Sequence, residues 1–193
     1  MQDSKLDLKS ELQKVIAGRR LSLVGNAASL LRQRLGEEID SGCVIRLNSG
    51  IPIHKRAQGR RTDIHCFSTR SSLQYNLGRA TWRVRLRRNH FNDKFSVWMS
   101  PDDRETAEPG QAFYPMPLCD ELTERLGATP SVGAKTLHML SELTDAEIRV
   151  FGYDFKTTTT FYRTKENLGP HNWQGEQDFA LSLVRAGRIS LAA

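Results

Sequence analysis

The sequence lacks the features of a disulfide-stabilised, zinc-stabilised or membrane-spanning protein. Its 193 residues include only three cysteines, Cys43, Cys66 and Cys119. This odd number, without a Cys-x-x-Cys pair, indicates neither a disulfide framework nor a structural zinc site. The apolar runs fall far short of the roughly 20 residues that cross a bilayer, and no apolar segment follows Met1 as in a signal peptide. We therefore expect a soluble protein of the reducing cytoplasm.

Acidic residues are scarce in one part of the chain. Overall, 28 Lys and Arg exceed 22 Asp and Glu, for a net charge of +6, but residues 54–90 hold ten basic side chains against the single acidic Asp63. Such a block predicts an anionic partner, whether a nucleotide, an acidic glycan, a lipid headgroup or nucleic acid. Because no nucleic-acid motif accompanies the arginines, we favour an acidic glycan or peripheral contact with the inner face of an anionic membrane.

The composition and the apolar patterning predict one α/β domain. Apolar residues make up 38% of the chain, enough for an ordinary core, and residues 1–193 are expected to form a single domain. Residues 1–18 are predicted to be an accessory N-terminal helix capped by Ser4. Strands alternating with helices predict one doubly wound, mostly parallel sheet with helices on both faces, with ligands at the carboxyl ends of its strands.

The individual elements follow from apolar runs and turn residues. Buried strands are predicted at 21–24, 43–47, 63–67 and 148–151, an apolar stretch at 95–99, and a half-exposed strand with a basic face at 80–86. Helices are predicted from the turn at Gly25 and Asn26 to Leu35, from Ser131 to Leu143, and from about Gln174 to Ala186. No regular structure is predicted for residues 100–117 or 157–170.

A first candidate site lies where the first strand ends. Gly25 allows the backbone to approach a phosphate, the following helix N-terminus presents free N–H groups, and Asn26 and Ser29 add polar side chains. Judged alone, a glycine at such a turn more often has a structural role.

Four segments, in order along the chain, resemble the sialyl motifs of the family 29 sialyltransferases. LVGNAASL at 23–30, GEEID at 36–40 and VIRLN at 44–48 resemble the long motif, and PSVG at 130–133 with the apolar run up to FG at 151–152 resembles the short motif. Thr160-Phe161-Tyr162 takes the place of the third motif, and HNWQGE at 171–176 matches the last, His-x4-Glu. The chain is identified on these motifs as a short member of that family.

The resemblance implies a Rossmann-like fold of the GT-A-variant type and an activity. The family transfers an acidic 2-keto sugar from a CMP-sugar to a glycan hydroxyl, with inversion and without an essential metal. By resemblance, Asn26 and Asn48 hold the nucleotide phosphate and its neighbouring sugar, residues 131–133 (Ser131, Val132 and Gly133) contact the donor, and His171 is the general base. We add Gly25 and Ser29 to the donor set and Tyr162 as the partner of the leaving phosphate.

The chemistry agrees with this assignment. Histidine can accept a proton near neutral pH, and a departing phosphate needs hydrogen-bond donors instead of a covalent nucleophile. No cofactor or metal is expected, because the sequence has no Asp-x-Asp pair and a CMP donor carries only a monophosphate. The acceptor, a glycan or a lipid-linked glycan, is expected to use residues 49–129, where no motif was placed.

Three further motif residues are expected to be structural: Glu176, Asp40 and Arg46. On one helix, positions 171 and 176 differ by about 140°, so Glu176 would not face His171 unless the turn at Gly175 intervened. The sequence also departs from the family's pattern: Leu21 replaces a cysteine of the family's Golgi disulfide, and Thr160 replaces a histidine of the third motif.

Two alternatives stay open on the sequence. CMP-Kdo could be the donor, because Kdo is also an anionic 2-keto sugar carried on the same nucleotide. A non-enzymatic module that uses the basic region to bind nucleic acid or anionic glycans is the alternative from another class.

Overall fold

The structure, a computed structural model, describes residues 7–100, 111–163 and 169–192. Its strands are β1 (Leu21–Val24), β2 (Cys43–Leu47), β3 (Ile64–Phe67), β4 (Phe95–Trp98), β5 (Ala112–Phe113), β6 (Ile148–Phe151) and β7 (Ile189–Leu191). Its α-helices are α1 (Leu8–Ile16), α2 (Gly36–Asp40), α3 (Lys55–Gln58), α4 (Arg70–Arg79), α5 (Trp82–Leu86), α6 (Met116–Leu126), α7 (Val132–Leu143) and α8 (Trp173–Arg185). Short 3₁₀ turns cover Ala28–Arg32 and Arg88–Phe91.

The strands form one parallel sheet in the order β5-β4-β3-β2-β1-β6-β7. The chain builds outward from β1 to β5 on one side and then returns to add β6 and β7 on the other side of β1. The predicted α/β fold is confirmed. In such sheets a ligand binds at the carboxyl ends of the strands where the winding direction reverses, which here is the crevice at the ends of β1 and β6.

Alternating side chains of the strands pack on two apolar layers, one on each face. Leu21, Leu23 and Ile45 point into the main core together with buried side chains of α1, α6, α7 and α8. On the opposite face, Val24 and Val44 pack on the 3₁₀ turn and α2. Fully buried parallel strands need apolar residues on both faces, which is why β1 and β2 are predictable from short continuous apolar runs.

The N-terminal helix packs on the main core. Leu8, Leu12 and Ile16 of α1 are buried there. The side chain of Asp7 caps this helix by accepting from the N–H of Lys9, and Ser4, the predicted cap, lies outside the described residues.

The prediction of a strand at 80–86 is wrong, because these residues end α4 and form α5. Trp82 and Leu86, placed inside by the strand pattern, are 61% and 76% exposed, whereas Ala80 and Val84 are buried. Leu77, Ala80 and Val84, which are three and four residues apart, share one face that packs against Phe161. A seven-residue alternation is too short to distinguish this arrangement from a strand.

Two other local predictions need correction. The helix expected after Asn26 is a single 3₁₀ turn, because the N–H groups of Ala27 and Ala28 donate to the carbonyls of Gly152 and Thr159 and keep this segment extended. Within the described part of residues 100–117, β5 and the start of α6 replace the expected irregular structure. The helices α4 and α6 and the strand β7 had no sequence prediction.

Candidate active site

A cavity of about 680 Å³ opens at the carboxyl edge of the sheet. Residues that follow β1, β2, β3, β4 and β6 line it, together with the first turns of α4, α7 and α8. Nine of the residues singled out in the sequence line this cavity: Gly25, Asn26, Asn48, Ser131, Val132, Gly133, Tyr162, His171 and Glu176. Segments up to 150 residues apart in the chain therefore meet where the fold predicts a ligand.

Gly25 brings the ends of β1 and β6 together. A Cβ atom at this position would lie 2.3 Å from the carbonyl oxygen of Gly152 and 2.6 Å from the ring of Tyr153. Its N–H donates to the carbonyl of Phe151 at 2.7 Å. No larger residue fits without moving β6, so Gly25 sets the depth of the crevice.

The two predicted asparagines are fixed by the backbone around them. The Nδ2 of Asn26 donates to the carbonyl of Leu47 at 3.0 Å, which ties the end of β1 to the end of β2. Asn48 has a φ of +48°, a left-handed conformation that asparagine tolerates better than most residues. Its carbonyl lies 2.8 Å from Nε2 of His65, and its Oδ1 accepts from the N–H of Ser68.

Glu176 holds the N-terminus of α7. Its two carboxylate oxygens accept from the N–H and the hydroxyl of Ser131, both at 2.7 Å. The Ser131 hydroxyl also accepts from the N–H of Ala134 and so caps the helix. Burial raises the pKa of Glu176, and the hydrogen bonds from Ser131 act in the opposite direction. These contacts leave the N–H groups of Val132 and Gly133, which have no acceptor within α7 by helix geometry, for an anion in the cavity.

His171 is half-buried at the entrance to α8, and one of its nitrogens is fixed. Nδ1 lies 2.8 Å from the carbonyl oxygen of Thr129. A carbonyl only accepts, so Nδ1 donates, and in the neutral ring the lone pair is on Nε2. A Cβ at position 169 would lie 3.0 Å from Nε2, and Gly169 therefore keeps space open beside that nitrogen. His171 has the tautomer that a general base requires.

Tyr162 lines the cavity. Its side chain is 4% exposed and packs with Phe161 and Ile51. Burial raises the pKa of its hydroxyl to about 12, against the effect of a hydrogen bond with the side chain of Asn26. Tyr162 therefore keeps its proton at neutral pH, so its hydroxyl is able to donate a hydrogen bond.

Three of the singled-out residues lie outside the cavity lining. The Ser29 hydroxyl donates to Asp154 at 3.0 Å, Asp40 accepts from the backbone of Arg60 and Arg61, and Arg46 is 1% exposed. The Arg46 guanidinium donates to backbone carbonyls of Gln58 and Arg61, and burial lowers its pKa to about 10. Asp40 and Arg46 thus order the segment around α3, and Ser29 orders the loop after β6.

Several lining residues were missed by the sequence reasoning. They are Ser68, Ser71, Ser72, Tyr75, Asn76, Ser100, Lys135, Tyr153, Asp154, Lys156 and Trp173, among others. Ser68, Ser100 and Tyr153 each lie just beyond the end of a strand, and the carboxyl-end rule applied to every strand would have found them. The residues of α4 had no such signal because that helix had not been predicted.

Comparison with known proteins identifies the family. Residues 6–105 match the family model described as "Glycosyltransferase family 29 (sialyltransferase)", which is 100 of the 193 residues and more than half of the chain. The chain belongs to glycosyltransferase family 29. It is therefore a glycosyltransferase, and the matched region includes the residues after β1 and β2 that line the cavity.

Solved structures of other proteins share the fold of this family 29 chain. A structure titled as a mammalian sialyltransferase superimposes with a TM-score of 0.61 at 13% identity, over 99% of this chain and 81% of the other. A mammalian sialyltransferase in complex with Gal-beta-1-3GalNAc-ortho-nitrophenol gives a TM-score of 0.58 at 16% identity, covering 99% and 80% of the two chains. A search of the curated proteins finds no match.

Two further properties of the family 29 chain concern membranes and metals. Among the described residues, no helix combines the length and hydropathy needed to cross a bilayer. Within the same residues, no group of three metal-ligating side chains occurs. Independence of metal stays a prediction.

Proposed function

We propose that this chain transfers an acidic 2-keto sugar of the sialic acid type from its CMP-sugar to a hydroxyl of a glycan acceptor, with inversion and without a metal. One observation carries the proposal: the cavity unites hydrogen-bond donors suited to a phosphate with a histidine whose Nε2 bears the lone pair. The donors are the α7 N-terminus, Asn26 and Asn48, and the histidine is His171; all of them line the cavity.

In the proposed reaction, His171 acts on the acceptor. Its Nε2 takes the proton of the acceptor hydroxyl while that oxygen forms a bond to the anomeric carbon of the donor sugar. The bond from the same carbon to the phosphate oxygen breaks, and the electron pair leaves with CMP. Attack from the face opposite the phosphate inverts the anomeric centre. The hydrogen bond from Nδ1 to Thr129 then stabilises the charged imidazolium.

The departing phosphate gains negative charge and meets hydrogen-bond donors. The amide groups of Asn26 and Asn48, the N–H groups of Val132 and Gly133, and the Tyr162 hydroxyl surround the region where CMP is proposed to bind. Preorganised donors of this kind stabilise developing charge without reorganisation, and a helix N-terminus favours an anion. Because CMP is a monophosphate, these donors suffice in place of a divalent cation.

The donor sugar defines the second candidate. CMP-Kdo shares with CMP-sialic acid both the nucleotide and an anionic 2-keto sugar, and the residues assigned to the donor hold the shared part. Family membership favours either transferase over a non-enzymatic binding module.

The first test is binding of CMP to the purified protein by calorimetry, with AMP as the control nucleotide. We expect selective binding of CMP, because the cavity would recognise the base as well as the phosphate. Transfer is then measured from CMP-sialic acid and CMP-Kdo to galactosides, since the complex named above holds Gal-beta-1-3GalNAc-ortho-nitrophenol. Absence of CMP binding would refute the proposal, and Kdo transfer alone would favour the second candidate.

We also propose a partner surface, the α4–α5 surface, made of α4, α5 and the two arginines that follow. It exposes Tyr75, Trp82 and Leu86, which are 57%, 61% and 76% exposed. The arginines beside them are Arg79, Arg83, Arg85, Arg87 and Arg88. Aromatic and apolar side chains interspersed with arginine suit the interface of an anionic bilayer. Peripheral membrane contact from the cytoplasmic side would bring a lipid-linked acceptor to the cavity, which α4 also lines.

A further inference from the structure

Lys135 is a buried cation at the floor of the cavity. It lies in the first turn of α7, is 7% exposed and lines the cavity. Its Nζ donates to the carbonyl oxygen of Met99, just beyond β4, at 3.0 Å. Among the described residues, no carboxylate lies within 4.0 Å of this ammonium. One of its three donors is therefore matched by a neutral oxygen, and within the described ranges its charge has no counter-ion.

Packing does not explain a lysine at this position. Its neighbours in α7, Ala134, Thr136 and Leu137, are all buried, and an apolar side chain would fill the same space. Burying an ammonium without a counter-ion is costly, and the single bond to Met99 offsets little of that cost. A charge kept in such a place indicates a ligand that supplies the missing negative charge.

Further hydrogen-bond donors surround the same end of the cavity. Ser68 and Ser100, which follow β3 and β4, line it, and their hydroxyls are 3.1 Å apart. One of these hydroxyls donates to the other, so one proton stays available for a ligand. Ser71 and Ser72, in the first turn of the ten-residue helix α4, also line the cavity.

The carboxylates that line the cavity are engaged elsewhere. Within the described residues these are Asp154, which accepts from Ser29 and Thr158, and Glu176, which accepts from Ser131. They lie at the β6 and α8 side. The β3–β4 side thus combines a buried cation with hydroxyl donors, which is the chemistry of an oxyanion site.

We propose that Lys135, Ser68 and Ser100 form a second anion subsite that binds an oxyanion of the substrates distinct from the CMP phosphate. Neighbouring strands are about 4.8 Å apart, so the ends of β1 and β4 are separated by about 14 Å. A group bound at Lys135 is therefore a different part of the substrates from a phosphate held at Asn26. The candidates are the carboxylate of the donor sugar and an anionic group on the acceptor. This inference rests on the proposed function.

The test replaces Lys135 by methionine, which has a similar length without the charge, and uses Lys94→Met as an exposed control. If the donor carboxylate is the ligand, Lys135→Met weakens binding of CMP-sialic acid or CMP-Kdo by about tenfold or more and leaves CMP affinity within about twofold of wild type. If an acceptor group is the ligand, affinities for CMP and CMP-sugar both stay unchanged. In that case the KM for an anionic acceptor rises by a similar factor, while the KM for a neutral acceptor does not change.

Thermal unfolding provides a second readout that needs no substrate. Sulfate at constant ionic strength should raise the Tm of wild type and of Lys94→Met more than that of Lys135→Met, and Lys135→Met alone should not lower the Tm. Equal loss of CMP and CMP-sugar affinity, unchanged binding and KM, or a lower Tm of Lys135→Met would each overturn the subsite. If wild type binds no CMP, the proposed function fails, and the sulfate comparison still decides whether Lys135 binds an anion.

Discussion

The strand-end wall of the cavity, formed by residues after β1, β2 and β6 and by the first turn of α7, contrasts with the α4 wall facing it. In the strand-end wall, Gly25 packs closely on the end of β6, and Asn26 donates to a carbonyl at the end of β2. Ser131 donates two hydrogen bonds to the carboxylate of Glu176 in α8. By contrast, α4 has no buried residue, and a hydrogen bond from Arg163 to Asn76 links it to the loop after Tyr162.

The difference in hydrogen bonding and burial between the two walls suits two tasks, binding of the donor and binding of the acceptor. A site that binds the same nucleotide in every turnover gains from rigid hydrogen-bond donors, because no free energy is spent on ordering them. A wall whose side chains are at most half-buried can change them at little cost in stability. We therefore propose that the donor binds at the strand-end wall and the acceptor at the α4 wall, and the following substitutions test that division.

The largest effect is expected from His171→Ala. Removal of the proposed general base should lower the transfer rate by about 10²- to 10⁴-fold. CMP affinity should change little, because the imidazole is bonded to Thr129 and not to the phosphate donors. His54→Ala, which removes an exposed imidazole, is the control. Transfer rates from single turnovers and CMP affinities from calorimetry measure both expectations, and full activity of His171→Ala would refute its role.

A smaller effect is expected from Glu176→Ala, which acts on the strand-end wall itself. The N–H and hydroxyl of Ser131 would lose their acceptors in a buried place, at a cost of about 1–3 kcal/mol in the free energy of unfolding. Urea denaturation should show this loss, and CMP binding should weaken because the α7 N-terminus loosens. Glu176→Gln keeps an acceptor for the Ser131 N–H and should lose less. Equal stability of Glu176→Ala and wild type would mean that the wall is not held by this contact.

The strand-end wall should also be sensitive to acid through His65. Its ring bonds the carbonyl of Asn48 and stacks on Phe91 at 3.7 Å, and burial lowers its pKa to about 4. Between pH 6.5 and 4 the unfolded chain binds a proton at this site that the folded chain excludes, so stability falls as the pH falls. From pH 7 to 5 the loss from this histidine is about 2 kcal/mol.

His65→Phe isolates that contribution, because phenylalanine keeps the stacking and cannot be protonated. The difference in unfolding free energy between pH 7 and pH 5, measured in urea, should be smaller for the variant by about 2 kcal/mol. The neighbouring His90, whose pKa burial also lowers to about 4, is present in both proteins and cancels. An identical pH dependence of variant and wild type would exclude His65 as the acid-sensitive group.

The sequence predicted the strand-end wall better than the α4 wall. The strands β1, β2 and β6 and the helix α7 were predictable because continuous apolar runs, a terminal Gly and the Ser131 cap are local signals. Residues of the cavity were predictable where they belong to a motif or follow a predicted strand. The helices α4 and α5 were not predictable, because α4 fully buries no side chain and its two half-buried leucines, Leu73 and Leu77, are too few to reveal a helical period.

The role of individual motif residues also depended on contacts that a sequence does not contain. Arg46 and Asn48 belong to the same short motif, yet only Asn48 lines the cavity. Positions 46 and 48 would share a face of a continuing strand, but β2 ends at Leu47 and Asn48 takes a left-handed conformation. Lys135 had no signal at all, because a lysine within a helix pattern is usually on its exposed side.

The smallest effect on stability is expected for substitutions on the α4–α5 surface, which test the α4 side of the comparison. The double variant Trp82→Ala with Leu86→Ala removes two exposed side chains and should change the unfolding free energy by no more than about 0.5 kcal/mol. Binding to vesicles of phosphatidylcholine with phosphatidylglycerol should weaken severalfold, because both side chains leave the interface and only the arginines, worth about 1 kcal/mol each, remain. Met116→Ala, which removes an exposed apolar residue from α6, should bind to the vesicles as wild type does.

Sedimentation with vesicles at low and high salt measures the binding of the three proteins. Equal binding of all three proteins, or tighter binding to RNA than to vesicles, would assign the surface to another partner.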